Sequence, residues 1–201
     1  MKFIGITGGV GAGKSALLKY IEKHYKCRIY LADEVAHLVK KKGTACYEAL
    51  VECLGREVLD EGGEIDKKKM AAKIFADDEL LNKVNGLIHP AVKEYLLEQL
   101  KIASMDEEVE LFFVEAALLI ETGYKALVDE MWYVYAEENI RRQRLMESRG
   151  YSLEKVESIM KQQLSEKQFK EAADFVIDNS FTLESAYRQI DRRLEAYTWR
   201  E

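Results

Sequence analysis

The sequence predicts an α/β fold: a five-stranded parallel sheet flanked by helices, with two helical insertions. Three observations carry that reading. Short apolar runs occur at 3–7, 28–31, 111–114, 131–135 and 175–177, each the length of a strand. The stretches between them are too long for hairpins and show helical spacing of apolar residues, which suits crossover helices and a parallel sheet. The first run, Phe3-Ile4-Gly5-Ile6-Thr7, is followed at once by Gly8-Gly9-Val10-Gly11-Ala12-Gly13-Lys14-Ser15, a complete G-x-x-x-x-G-K-S loop.

That loop implies phosphate binding. A loop that wraps an anion must turn its backbone N–H groups inward, and four of its eight positions are glycine, which tolerates the required turns. A helix is expected over 15–24, its positive dipole end and free amides facing the same anion. Gly8, Gly11, Ala12, Gly13 and Ala16 would therefore contact the phosphates through the main chain. Lys14 would reach the β- and γ-phosphates, and the Ser15 hydroxyl would ligate Mg²⁺, which makes Mg²⁺ and ATP the expected cofactors. The alternative is a glycine-rich turn that binds nothing, and the strand-loop-helix order disfavours it.

After the second strand run, Asp33 stands where an open sheet borders its ligand crevice. It is read as the group that accepts a proton from an attacking hydroxyl, or as a helix cap ahead of Glu34. The longest insertion, 39–108, shows helical spacing at Leu80, Leu81, Val84, Leu87 and Ile88, and again at Val92, Tyr95, Leu96 and Leu100. Pro90 separates the two sets and is expected to start a new helix. His89, just before it, is read either as a structural histidine or as a substrate contact. A turn at Asp60-Glu61-Gly62-Gly63 precedes Asp66, which is placed to cap a helix from Lys67. It lacks the spacing of a calcium-binding loop. Glu115 closes the third strand run and is a candidate for the magnesium shell or for an ordinary strand-end carboxylate.

A second insertion, 137–169, contains Arg141, Arg142, Arg144 and Arg149. Arg141 and Arg144 share a helix face. The cluster is either a solvated face or a lid that closes over a triphosphate, and its position after the fourth strand favours the lid. The segment from Leu183 through Ala186, Tyr187, Ile190, Leu194 and Tyr197 is an amphipathic helix.

The 201 residues, 48% hydrophobic and 33% charged, suffice for a substantial core. No apolar run approaches the roughly 20 residues of a membrane span, and the first run leads into the loop instead of a cleavage site, so a cytoplasmic protein without membrane association is expected. A net charge of −6 argues against a nucleic-acid partner, and no obligate protein partner is evident. Cys27, Cys46 and Cys53 show no C-x-x-C spacing, and no disulfide is expected.

Taken in order, several segments resemble the dephospho-coenzyme A kinase family over nearly the whole chain. They are the loop with its strand, Ala32-Asp33, Gly63-Glu64-Ile65-Asp66, His89-Pro90-Ala91-Val92, Leu118-Leu119-Ile120-Glu121 and Ala173-Asp174-Phe175-Val176-Ile177-Asp178-Asn179. The resemblance implies a P-loop NTPase core made of 1–38, 109–136 and 170–201, a helical domain at 39–108 that binds the acceptor dephospho-CoA, and a lid at 137–169. It implies transfer of the ATP γ-phosphoryl group to the ribose 3′-hydroxyl of dephospho-CoA. Carried over, Asp33, Lys14 and Arg144 look catalytic. Thr7, Asp33, His89 and Glu115 look like acceptor contacts, and Arg141 and Asn179 like nucleotide contacts. The chain departs from the family pattern at Glu115-Ala116-Ala117, at Leu31, at Ser148-Arg149-Gly150 and at Phe181. Other readings are a different small-molecule kinase of the same fold and a nucleotide-binding regulator without transfer activity.

Overall fold

A computed structural model describes residues 1–75 and 77–198. Its five strands are β1 (Lys2–Thr7), β2 (Cys27–Leu31), β3 (Leu111–Glu115), β4 (Glu130–Tyr135) and β5 (Phe175–Asp178). They lie in the order β2-β3-β1-β4-β5, with the pairs β1–β3, β1–β4 and β4–β5 parallel. All five expected strands are present, and the α/β class stands. The sheet interior is apolar on both faces, as parallel sheets require: Ile4, Ile6, Phe112, Phe113, Val114, Met131, Trp132, Val134 and Ile177 are all buried. The order places β1 at the centre, with β3 and β4 on either side. The chain crosses from one side of β1 to the other between β3 and β4, which makes the carboxyl end of β1 the natural ligand position.

The chain forms two compact units, one of residues 1–29 and 106–201, the other of residues 30–105. The first holds most of the sheet, with helices α1 (Lys14–His24), α6 (Glu138–Arg149), α7 (Leu153–Lys161), α8 (Glu166–Ala172) and α9 (Leu183–Thr198). Tyr20 of α1 stacks on Tyr187 of α9 at 3.9 Å between centroids, and the hydroxyls of Tyr20 and Tyr25 both donate to Asp191. At the amino end of β4, the buried Glu130 carboxylate accepts from Trp132 Nε1 (3.0 Å), from Arg193 Nε and Nη2 (3.0 and 2.7 Å), and from the Tyr197 hydroxyl. Burial alone would raise the pKa of this carboxylate, but the hydrogen bonds and the Arg193 charge outweigh burial and lower it.

The second unit is helical, with α2 (Ala32–Leu38), α3 (Ala45–Leu54) and α4 (Lys67–Phe75) packed on the long α5 (Asp78–Ala103). Asp66 caps α4 as expected, its Oδ1 accepting from Lys68 and Lys69 N–H. Pro90 does not divide the region: it lies inside the single 26-residue helix α5. A proline there removes one backbone hydrogen bond and costs about 3 kcal/mol. Val84, Ile88, Val92 and Leu96 are buried at intervals of four on both sides of it, so tertiary packing holds one continuous stripe in phase and overrides the local break. Cys27, Cys46 and Cys53 are free thiols.

The Glu130 cluster yields a stability prediction. Arg193→Met keeps an apolar stem but removes two charge-assisted bonds, together with the guanidinium that lies over the rings of Phe175 and Tyr197. It should destabilise the protein by about 1–3 kcal/mol at neutral pH. Because the folded Glu130 pKa is depressed, its contribution is present above the unfolded carboxylate pKa and is lost as pH falls through the folded value. Urea titrations at several pH values should therefore show the gap between wild type and variant narrowing under acid conditions.

Candidate active site

From the buried Thr7 the chain turns through residues 8–13 into α1. Gly13 is the N-cap of α1 at φ +91°, and a Cβ there would lie 2.4 Å from Asn179 Nδ2. At Gly9 a Cβ would meet the Arg141 guanidinium, so a larger residue there would displace that side chain from the loop. No side chain caps α1 and no acidic residue occupies its first turn, so its amide end stays electropositive.

Three alternate carbonyls of the loop are bound by side chains. Gly8 O accepts from Lys14 Nζ at 2.7 Å. Val10 O accepts from Arg141 Nε at 2.9 Å. Ala12 O accepts from Asn179 Nδ2 at 2.8 Å and from Arg144 at 3.4 Å. Arg144 Nη2 also donates to Asn179 O at 2.9 Å, which joins the end of β5 to the same structure. Within the loop, Ala12 N–H donates to Gly9 O. Arg141 and Arg144 thus share a helix face that is turned onto the loop, and Leu145, one turn after Arg141, is buried beside Gly11. Of the other arginines, Arg142 pairs with Glu138 on its own helix and Arg149 lies over the Tyr151 ring.

The electrostatics of this collar are one-sided. Among the described residues, neither Arg141 nor Arg144 has a carboxylate oxygen within 4.0 Å, and the partners they bond are neutral oxygens. Burial lowers the Arg141 pKa, with Tyr133 and Glu138 acting in the opposite sense, yet a guanidinium remains charged. Lys14 is 3.4 Å from Glu115 Oε1, and both side chains are largely buried. Glu115 ends β3 in register with Ile6, and the Thr7 hydroxyl donates to Ala117 O at 3.3 Å. Four elements therefore converge at the carboxyl end of β1. Ser15 and Ala16 lie in the first turn of α1, and Ser15 is exposed. No group of three or more His, Cys, Asp or Glu that could hold a metal ion occurs among the described residues.

Two further candidates lie in the helical unit. Asp33 is exposed in the first turn of α2; it does not cap that helix, whose N-cap is Leu31, and its charge complements the helix dipole. Lys40, half-buried, has its pKa lowered by burial and by Lys67, with Cys46 and Asp33 offsetting part of the effect. His89 is exposed on α5 and is not a buried core histidine. Gln163, which sequence reasoning did not single out, donates no signal through local pattern. Its partners Val10 and Arg141 are 153 and 22 positions away.

The family model described as dephospho-CoA kinase matches residues 2–185 of the chain. A dephospho-CoA kinase from Aquifex aeolicus is 36% identical over 198 residues, covering 98% of each chain. A crystal structure from Thermus thermophilus superposes with TM-score 0.80 at 28% identity and 97% coverage of both chains. A dephospho-CoA kinase structure from Campylobacter jejuni has TM-score 0.72 at 21% identity, covering 97% of this chain and 96% of that one, which shows the shared fold.

The loop geometry predicts opposite effects for two glycines. Gly13→Ala forces a Cβ into the left-handed region against Asn179 and should cost about 1–2 kcal/mol. Gly86→Ala, in open space within α5, should stabilise by about 0.5–1 kcal/mol. Thermal melts of the two variants should move in opposite directions from wild type.

Proposed function

This chain belongs to the dephospho-CoA kinase family, and on that premise we propose that it transfers the γ-phosphoryl group of ATP to the ribose 3′-hydroxyl of dephospho-CoA, the final step of coenzyme A synthesis. The observation that carries the reading is the loop at residues 8–15, whose carbonyls at Gly8, Val10 and Ala12 accept from Lys14, Arg141, Arg144 and Asn179, three of which bring positive charge.

In this reading the main-chain amides of Gly8, Gly11, Gly13, Lys14 and Ser15 grip the triphosphate, whereas those of Ala12 and Ala16, also expected to do so, already donate to Gly9 O and Gly13 O and line the site without bonding phosphate through N–H. Lys14 spans the β- and γ-phosphates, exchanging its bond to Gly8 O for phosphate oxygen. Arg141 and Arg144 neutralise charge that spreads over the γ-phosphoryl oxygens in a loose transition state, and Asn179 fixes the loop from the nucleotide side. Asp33 orients the 3′-hydroxyl and takes its proton as the new P–O bond forms and the bond to the β–γ bridging oxygen breaks, releasing ADP. Thr7, His89 and Glu115 contact the acceptor. The hydroxyl of the exposed Ser15 is the protein ligand that would hold a magnesium ion bound with ATP, which would supply positive charge to the phosphate oxygens. The reading assigns the nucleotide core to 1–38, 109–136 and 170–201, the acceptor domain to 39–108 and the lid to 137–169. Its substrates are small molecules, with no nucleic acid, membrane or obligate protein partner involved. We place the protein in the cytoplasm; among the described residues no helix is long and apolar enough to cross a membrane.

The test is incubation with Mg²⁺-ATP and dephospho-CoA, with product identified by mass and by the position of the new phosphate. Lys14→Ala should reduce turnover by at least roughly 100-fold. Asp33→Asn should lower kcat by about 10²–10⁴-fold while leaving the ATP dissociation constant within about threefold. ADP release without phosphorylated dephospho-CoA would overturn the assignment, and an equal loss of ATP affinity in Asp33→Asn would remove that residue from its role.

A further inference from the structure

Gln163 lies just beyond the end of α7, and its Oε1 accepts two hydrogen bonds, from Val10 N–H at 3.1 Å and from Arg141 Nη2 at 2.8 Å. Arg141 Nε returns to Val10 O at 2.9 Å. The three residues close a ring in which both main-chain polar groups of one loop residue are taken, one by Gln163 and the other by Arg141. The side-chain nitrogen of Gln163, Nε2, makes no hydrogen bond among the described residues, so the side chain acts here through its oxygen alone.

The chemistry of that oxygen matters. A half-buried guanidinium needs acceptors for its N–H groups, and a carboxylate would be the strongest one. A carboxylate at this distance would also cancel the charge of Arg141. A neutral amide oxygen fixes the same geometry and leaves the charge for an incoming anion. Fixing it has catalytic value, because donors that are already aimed need no reorganisation during the reaction.

We propose that Gln163 is a positioning residue, whose neutral side-chain oxygen aims Arg141 at the triphosphate and locks the Val10 peptide, coupling the 137–169 segment to the phosphate loop. This rests on the phosphoryl-transfer reading above.

The experiment is a double-mutant cycle between Gln163→Leu and Arg141→Ala, read as kcat, KM for ATP and, by calorimetry, the ATP dissociation constant. Gln163→Leu alone should lower kcat/KM for ATP about tenfold with little change in melting temperature, and in the Arg141→Ala background it should cause almost no further loss. Gln163→Glu retains both bonds and should match or exceed wild-type thermal stability while still binding ATP several-fold more weakly, since its charge offsets that of Arg141. A merely structural role would move melting temperature and activity together. Additive losses in the cycle, or a Gln163→Glu variant with wild-type ATP affinity, would overturn the proposal. Should Gln163→Leu fail to fold, Gln163→Asn, which cannot span both partners, takes its place in the same cycle. Wild-type protein that binds ATP but does not phosphorylate dephospho-CoA would sink the activity reading, and the positioning claim would then be decided by the cycle in ATP affinity alone.

Discussion

A backbone loop that turns its amides toward an anion must turn its carbonyls the other way, and those carbonyls need donors. In this chain the carbonyls of Gly8, Val10 and Ala12 meet that need through Lys14, Arg141, Arg144 and Asn179. The constraint explains why residues so distant in sequence converge here. Lys14 comes from α1, the arginines from α6 and Asn179 from the end of β5, and each arrives where the order of strands around β1 brings its element. The loop glycines serve the same end, since side chains at Gly9 or Gly13 would occupy the space of Arg141 or Asn179.

The donors that hold the carbonyls are largely cationic, and this links folding to function. A cation bound to a neutral oxygen satisfies its hydrogen bonds without losing its charge, so the loop is held together by groups that also raise the local positive potential. Lys14 has the closest acidic neighbour, Glu115, whose placement at the end of β3 follows from its pairing register with β1. The overall charge of −6 is therefore compatible with an anion site, because the basic groups are concentrated where the backbone already points its donors.

Much of this was legible in the sequence because it is encoded locally. The five strands announce themselves as short apolar runs, the loop as a spaced motif, and the common face of Arg141 and Arg144 as helical periodicity. The Asp66 cap was equally readable from its place before Lys67. What escaped depended on tertiary structure. Pro90 is a local breaker, but buried residues on both sides of it keep α5 continuous, which no local rule conveys. Gln163 sits in a polar stretch without a pattern, and its importance to the loop emerges only when a contact across 153 positions is formed. The Glu130–Arg193–Tyr197 cluster has the same character, joining residues more than 60 positions apart.

The central claim is that the collar leaves the loop amides directed at phosphate. Backbone amide NMR of the labelled protein, titrated with inorganic tripolyphosphate and separately with adenosine, tests it without relying on turnover. The account predicts large downfield shifts at the Gly11, Gly13, Lys14 and Ser15 amides with tripolyphosphate and none of that size with adenosine. Amide resonances of residues 8–15 that stay in place while tripolyphosphate saturates the protein would contradict it.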